Sequence, residues 1–269
     1  MARDLRTRVS RPDRTNFAEY VDRLPVAKKT LGLTHITSAY TLRDIIENGV
    51  IKSQDKCDVL EEEVIYAFYG RAAYRHKESF VPANLTSLYP TVFILDPHDI
   101  PPPKYVFGFD SGAFCAGVMD DHLHPYMPLF DFLLTPNTAS AARLIEAVFS
   151  TPENFFQNRP GSTFTVPPGD FEAESYASLI KSGGHGNVRL DDRLSTPEIV
   201  FADPISLAKS VRAVILPETL GQQSDIGGKL RSLKIRVDEY PWTSCSRPGE
   251  NHFMIQNMVT AIYKDLGWL

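Results

Sequence analysis

Three short stretches of the chain hold residue types that can do chemistry. In LTHIT (33–37) a histidine, His35, closes an apolar run with hydroxyls on both sides, Thr34 and Thr37. In YAFYGRAAYR (66–75) a run of aromatics leads into Gly70 and Arg71. In LDDRLSTPEIVFADPISL (190–207) an acidic, Arg-containing loop leads to Glu198 at the head of an apolar segment. A histidine at a strand–helix junction can hold a ligand through a ring nitrogen, and it can equally be a packed residue. Taken singly, each stretch has a plain structural reading: a packed His, a surface Arg after an aromatic strand, and an exposed Glu at a strand start.

The elements around these residues follow from hydrophobic periodicity. Residues 31–36 read as a strand, and Thr37 or Ser38 caps a helix whose Leu42, Ile45 and Ile46 recur at helical spacing. Gly49 is the stop signal for that helix, and the chain resumes as Val50-Ile51. EVIYAFYG (63–70), TVFILDP (91–97), PEIVFADPI (197–205) and SVRAVILP (210–217) read as strands, rich in β-branched and aromatic residues. ASAARLIEAVFS (139–150) reads as a helix with Leu144, Ile145, Val148 and Phe149 on one face. Residues 250–265 read as a C-terminal helix with Met254, Met258, Ala261 and Ile262 inward. Residues 151–170, rich in Pro, Asn and Gly, read as a long loop. Short strands around an early helix point to an α+β domain whose sheet carries the site.

Several function classes are disfavoured. SGGHGN (182–187) lacks the spacing of a dinucleotide-binding glycine loop and the lysine of a phosphate-binding one. His122 and His124 stand beside Asp120 and Asp121 in MDDHLHPY, but without a third clustered ligand the segment reads as a solvated loop, so no metal is expected. Three cysteines, Cys57, Cys115 and Cys245, have no paired spacing, which fits a reducing compartment. No apolar run is long enough for a membrane span, and the N-terminus lacks the apolar core of a secretory signal, so a cytoplasmic protein without a membrane partner is expected. The net charge of −5 is uneven: residues 1–29 hold eight Arg and Lys against four acids, and the remainder 20 against 29. The expected organisation is a basic N-terminal arm, 1–29, and a single domain, 30–269. Such an arm can contact phosphates or pack on the acidic body.

Taken in order, the three stretches resemble the DarT-like ADP-ribosyltransferases. The matching positions are Thr34-His35-Ile36 with Glu47-Asn48-Gly49, then Phe68-Tyr69-Gly70-Arg71-Ala72. The last are Asp191-Asp192 through Glu198-Ile199-Val200, Pro204 and Val211–Pro217. The resemblance spans roughly residues 31–75 and 188–217. The second motif departs from the pattern at Gly70, Ala72 and Ala73, where the family carries Pro before the Arg and Ser-Pro after it. FGFDSGAF (107–114) has no counterpart there. It reads as a tight turn between aromatic flanks, with Asp110 and Ser111 facing a cleft as the alternative.

The resemblance implies an ADP-ribosyltransferase-like split β-sheet core with flanking helices, and NAD as donor of ADP-ribose. Breaking the nicotinamide–ribose bond passes through an oxocarbenium-like transition state, which calls for a fixed carboxylate nearby. Glu198 is the expected catalytic carboxylate, with Arg71 as its catalytic partner on a pyrophosphate or acceptor phosphate. His35 and Thr34 are implied to hold a ribose or the nicotinamide side of NAD, with Tyr66 or Tyr69 stacking on the nicotinamide ring. Asp191, Asp192 and Arg193 are the implied acceptor contacts. The implied acceptor is a nucleic-acid base in single-stranded DNA or RNA, modified by a bacterial toxin or anti-phage effector kept in check by an antitoxin. A protein acceptor, simple NAD hydrolysis and a non-catalytic binding module are the alternatives.

Overall fold

The computed structural model describes residues 16–73, 84–162, 164–182, 191–243 and 246–269. Most of the expected N-terminal arm, the end of YAFYGRAAYR, all but the first residue of SGGHGN, and Cys245 lie outside them. The strands are β1 (Leu33–Ser38), β2 (Val50–Ile51), β3 (Ile65–Tyr69), β4 (Pro90–Leu95), β5 (Tyr105–Phe107), β6 (Glu198–Phe201), β7 (Ile205–Ser206), β8 (Val211–Pro217) and β9 (Arg236–Tyr240). The principal helices are α1 (Phe17–Asp22), α2 (Ala39–Asn48), α3 (Ser111–Cys115), α4 (Thr138–Phe149), α5 (Pro152–Phe156), α6 (Phe171–Ser182) and a C-terminal helix, His252–Asp265. Helices and mixed strands together agree with the α+β expectation. The chain divides into two compact units, one of residues 1–30, 57–62 and 102–200, the other of residues 31–56, 63–101 and 201–269.

In the second unit the strand order is β3-β1-β4-β8-β9. β1 runs antiparallel to β3 and β4, and β4 antiparallel to β8, while β8 and β9 are parallel. β4, between β1 and β8, is buried from Thr91 to Leu95, which is why TVFIL is apolar without alternation. Enclosing Val92, Phe93, Ile94 and Leu95 stabilises the unit by about 1.5–3 kcal/mol per side chain. β2 and β7 form a separate two-residue antiparallel pair.

α2 begins and ends on the expected signals. The Ser38 hydroxyl accepts the Thr41 N–H, and Gly49, at φ 70°, occupies the left-handed conformation that closes the last turn. Ala39, Leu42, Ile45 and Ile46 are its buried face. The C-terminal helix is rotated from expectation: Ile255, Val259, Ile262 and Tyr263 are buried, while Met254 and Met258 are half-buried and Ala261 is exposed. Both stripes obey helical spacing, and the larger β-branched and aromatic set gains more from leaving water.

In the first unit, β5 and β6 pair antiparallel, with Phe107 opposite Glu198. An aromatic core fills the space around the turn that follows β5: Phe109 and Phe132 lie 4.9 Å apart, Phe17 and Tyr176 5.3 Å, and Phe109 stacks on Phe114 at 5.9 Å. Phe17 reaches this core because Asn16 and Glu19 form a capping box that starts α1. α4 buries Leu144, Ile145, Val148 and Phe149 as the periodicity predicts. The stretch 151–170 is not all loop, because Thr151 caps the short helix α5 with Pro152 in its first turn.

Candidate functional site

The candidate residues fall into two groups. His35, Thr34, Tyr66, Tyr69 and Arg71 belong to the second unit, and Glu198, Asp191, Asp192 and Arg193 to the first.

In the second unit, His35 stands inside β1, three residues before its end rather than at the strand–helix junction, with its ring half-buried and its Nδ1 2.7 Å from the carbonyl oxygen of Tyr66 on β3. A carbonyl only accepts, so Nδ1 carries a proton in this contact. The ring packs against Phe93 at 6.0 Å. Beside it lies an open cavity of about 340 Å3, bordered by His35 and Thr37 of β1, Thr41 of α2, Tyr66 of β3, and Lys52 and Asp55 after β2. That volume is at the small end of the roughly 300–1,000 Å3 range of small-molecule sites.

Thr34 and Tyr69 sit differently. The Thr34 side chain is enclosed, and its hydroxyl donates to the Arg71 carbonyl oxygen at 2.5 Å. Tyr69 is 1% exposed, and its hydroxyl accepts the Leu31 N–H at 2.9 Å. Of the two tyrosines, Tyr66 is therefore the one that borders the cavity. Arg71 follows Gly70, whose φ of 76° is a left-handed conformation that a side-chain-bearing residue adopts only with strain. That bend turns the chain at the end of β3 and carries Arg71 inward, where it is 2% exposed. The Gly70 N–H donates to the Gly32 carbonyl at 2.9 Å, and the Ala72 N–H to the Gln256 side chain at 3.0 Å. A buried guanidinium is costly to place, and this segment is pinned on both sides of it.

In the first unit Glu198 is enclosed at the head of β6, 2% exposed. Two donors from one residue hold its carboxylate: the Ser111 N–H to Oε2 at 3.0 Å and the Ser111 hydroxyl to Oε1 at 2.7 Å. The β5–β6 register makes this possible, since Phe107 is opposite Glu198 and the chain reaches the first residue of α3 four residues later. Asp110 caps α3, accepting the Ala113 N–H at 2.6 Å, and its own N–H donates to the Arg193 carbonyl at 3.1 Å. Burial, then the neighbouring Asp110 charge, push the Glu198 carboxyl well above the usual carboxylate range, against the opposing Ser111 hydrogen bonds. Asp110 is also pushed up, mainly by burial, with Arg193 pulling it down.

The implied acceptor residues form the turn before β6. The Arg193 side chain forks onto Asp191, with Nε to Oδ1 at 2.9 Å and Nη2 to Oδ2 at 2.5 Å. Asp192 lends its carbonyl oxygen to the Thr196 hydroxyl at 2.6 Å. These bonds stiffen the approach to Glu198. Among the described residues, no group of three or more His, Cys, Asp or Glu is placed to hold a metal ion. No described helix is long and apolar enough to cross a membrane.

For Asp110 and Ser111 the sequence predicts a structural turn, with a place facing a cleft as the alternative. The turn is real, but it also holds Glu198, 87 residues away in the chain. The one available signal was an acid-hydroxyl pair, Asp-Ser, between aromatic flanks with no family counterpart. Compared with known proteins, the chain matches no family model, no curated protein and no solved structure.

Proposed function

We propose that the chain is an NAD-dependent ADP-ribosyltransferase that modifies a base of single-stranded DNA or RNA, on an ADP-ribosyltransferase-like split-sheet fold. The observation that carries this reading is Glu198: a buried strand-head carboxylate held by two hydrogen bonds from Ser111. Such a group stabilises positive charge developing at the ribose C1′ as the bond to nicotinamide breaks and the pair leaves with the ring. The acceptor atom then attacks C1′, and its proton passes to a base. A carboxyl pushed up by burial suits that role better than an ordinary one.

The residues of the second unit fit a nucleoside. His35, held by its Nδ1–H bond to the Tyr66 carbonyl, borders the cavity that we assign to a nucleoside. Thr37 and Tyr66 border the same cavity of the second unit. Thr34 serves by fixing the backbone at Arg71, the residue that the resemblance implies for phosphate. Asp191 and Arg193 order the acceptor loop. An enzyme of this kind damages its own cell, which places it among toxins or anti-phage effectors that need an antitoxin.

The test supplies NAD with single-stranded DNA, RNA and protein in parallel. The expected result is nicotinamide release and a mass gain of one ADP-ribose on a nucleic acid. Glu198→Gln should lower that rate by about 10²–10³-fold, the size expected for losing one transition-state electrostatic contact. Labelled protein alone would move the acceptor assignment, and nicotinamide release without a labelled product would indicate hydrolysis. NAD left intact with every acceptor would leave a binding module as the better reading.

A further inference from the structure

We propose that Ser111 is the positioning residue of Glu198, holding the carboxylate of the active strand in one orientation through a two-point grip. The inference rests on the reading of Glu198 as the acting carboxylate. Its basis is geometric: one residue supplies a donor to each carboxylate oxygen, 3.0 Å from the backbone N–H and 2.7 Å from the hydroxyl. Ser111 is 1% exposed and Glu198 2%, so water does not replace either bond at little cost. Two donors on two oxygens fix the plane of the carboxylate as well as its place, which a single bond does not.

The grip is separable from the fold of its own loop. Asp110 caps α3 through the Ala113 N–H, and Phe109 and Phe114 anchor the turn in the aromatic core. None of these contacts uses the Ser111 hydroxyl. Removing the hydroxyl therefore leaves the turn in place and takes one donor from Oε1. Asp110 is the neighbouring charge that acts on Glu198, and Asp110 in turn feels Arg193 and Asp191. With a donor to the anion lost and the Asp110 charge retained, the ionised form of Glu198 is disfavoured.

The decisive measurement does not require turnover. Carboxyl-¹³C-glutamate NMR titration follows Glu198 directly, its resonance assigned by disappearance in Glu198→Gln. In Ser111→Ala the Glu198 titration should move to higher pH, and in Ser111→Cys, which keeps the shape but donates weakly, by a smaller amount. In the transfer assay the acid limb of kcat/KM should move the same way, and kcat should fall about tenfold with a smaller change in KM for NAD. Should Ser111→Ala not fold, the near-isosteric Ser111→Cys carries the measurement alone. An unmoved Glu198 titration in the folded variants overturns the grip. A shifted titration in a protein that never consumes NAD keeps the grip and overturns the enzymatic reading.

Discussion

Glu198 and His35 show two opposite ways of preparing a polar side chain. Glu198 is enclosed, gripped by Ser111 and placed in a unit whose core is a cluster of aromatic rings. His35 is half-buried, holds one backbone carbonyl and borders open space. The first arrangement fixes a carboxyl group and strips it of water, which raises its pKa and strengthens any electrostatic effect of its ionised form. The second holds the ring by a backbone carbonyl at the border of a cavity. Burial with a donor on each oxygen suits a group that acts on charge, whereas partial exposure suits one that recognises shape and hydroxyls.

The comparison breaks first at its foundation. Phe109 is fully enclosed against Phe114 and Phe132, so Phe109→Ala should cost about 3–5 kcal/mol in urea unfolding. A loss below about 1 kcal/mol would mean that the aromatic core does not support the Glu198 turn. A smaller effect of opposite sign is expected at Glu198 itself. Its folded pKa is raised, so its contribution to stability is full below the usual carboxylate value near 4 and is lost as the pH rises through the folded value. Glu198→Gln should thus melt at least as high as the parent at pH 8, with the gap closing as the pH falls through the folded value and constant below about 4. A variant that melts much lower at pH 8 would show the ionised carboxylate to be a net stabiliser. The smallest stability change belongs to His35→Ala, about 1 kcal/mol, since the site is partly exposed. Its larger consequence should be a several-fold rise in KM for NAD with kcat less affected. A fall in kcat with KM unchanged would give His35 a part in the chemistry instead.

How much of this was legible depends on the range of the interactions. α2 could be read from Ser38, Gly49 and the spacing of Leu42, Ile45 and Ile46, because caps and periodicity act within one helix. β3, β4, β6 and β8 stood out as β-branched and aromatic runs. β5 has three residues and β9 reads RVDEY, too short or too polar to signal a strand without its neighbour. The C-terminal helix was recognisable, yet its buried face was not, since two stripes one residue apart satisfy the same period.

Local signals in the chain suffice for the frame: a strand through His35 that runs on to Ser38, Arg71 after the left-handed Gly70, and Glu198 at the head of β6. Each follows from propensities and turn chemistry acting over a few residues. Only the tertiary structure decided the environment of each. It spent the Nδ1 proton of His35 on Tyr66, enclosed Tyr69 while leaving Tyr66 beside a cavity, and brought Ser111 to Glu198. Hydrogen-bond partners and desolvation come from residues distant in the chain, and no local pattern records which ones folding brings together.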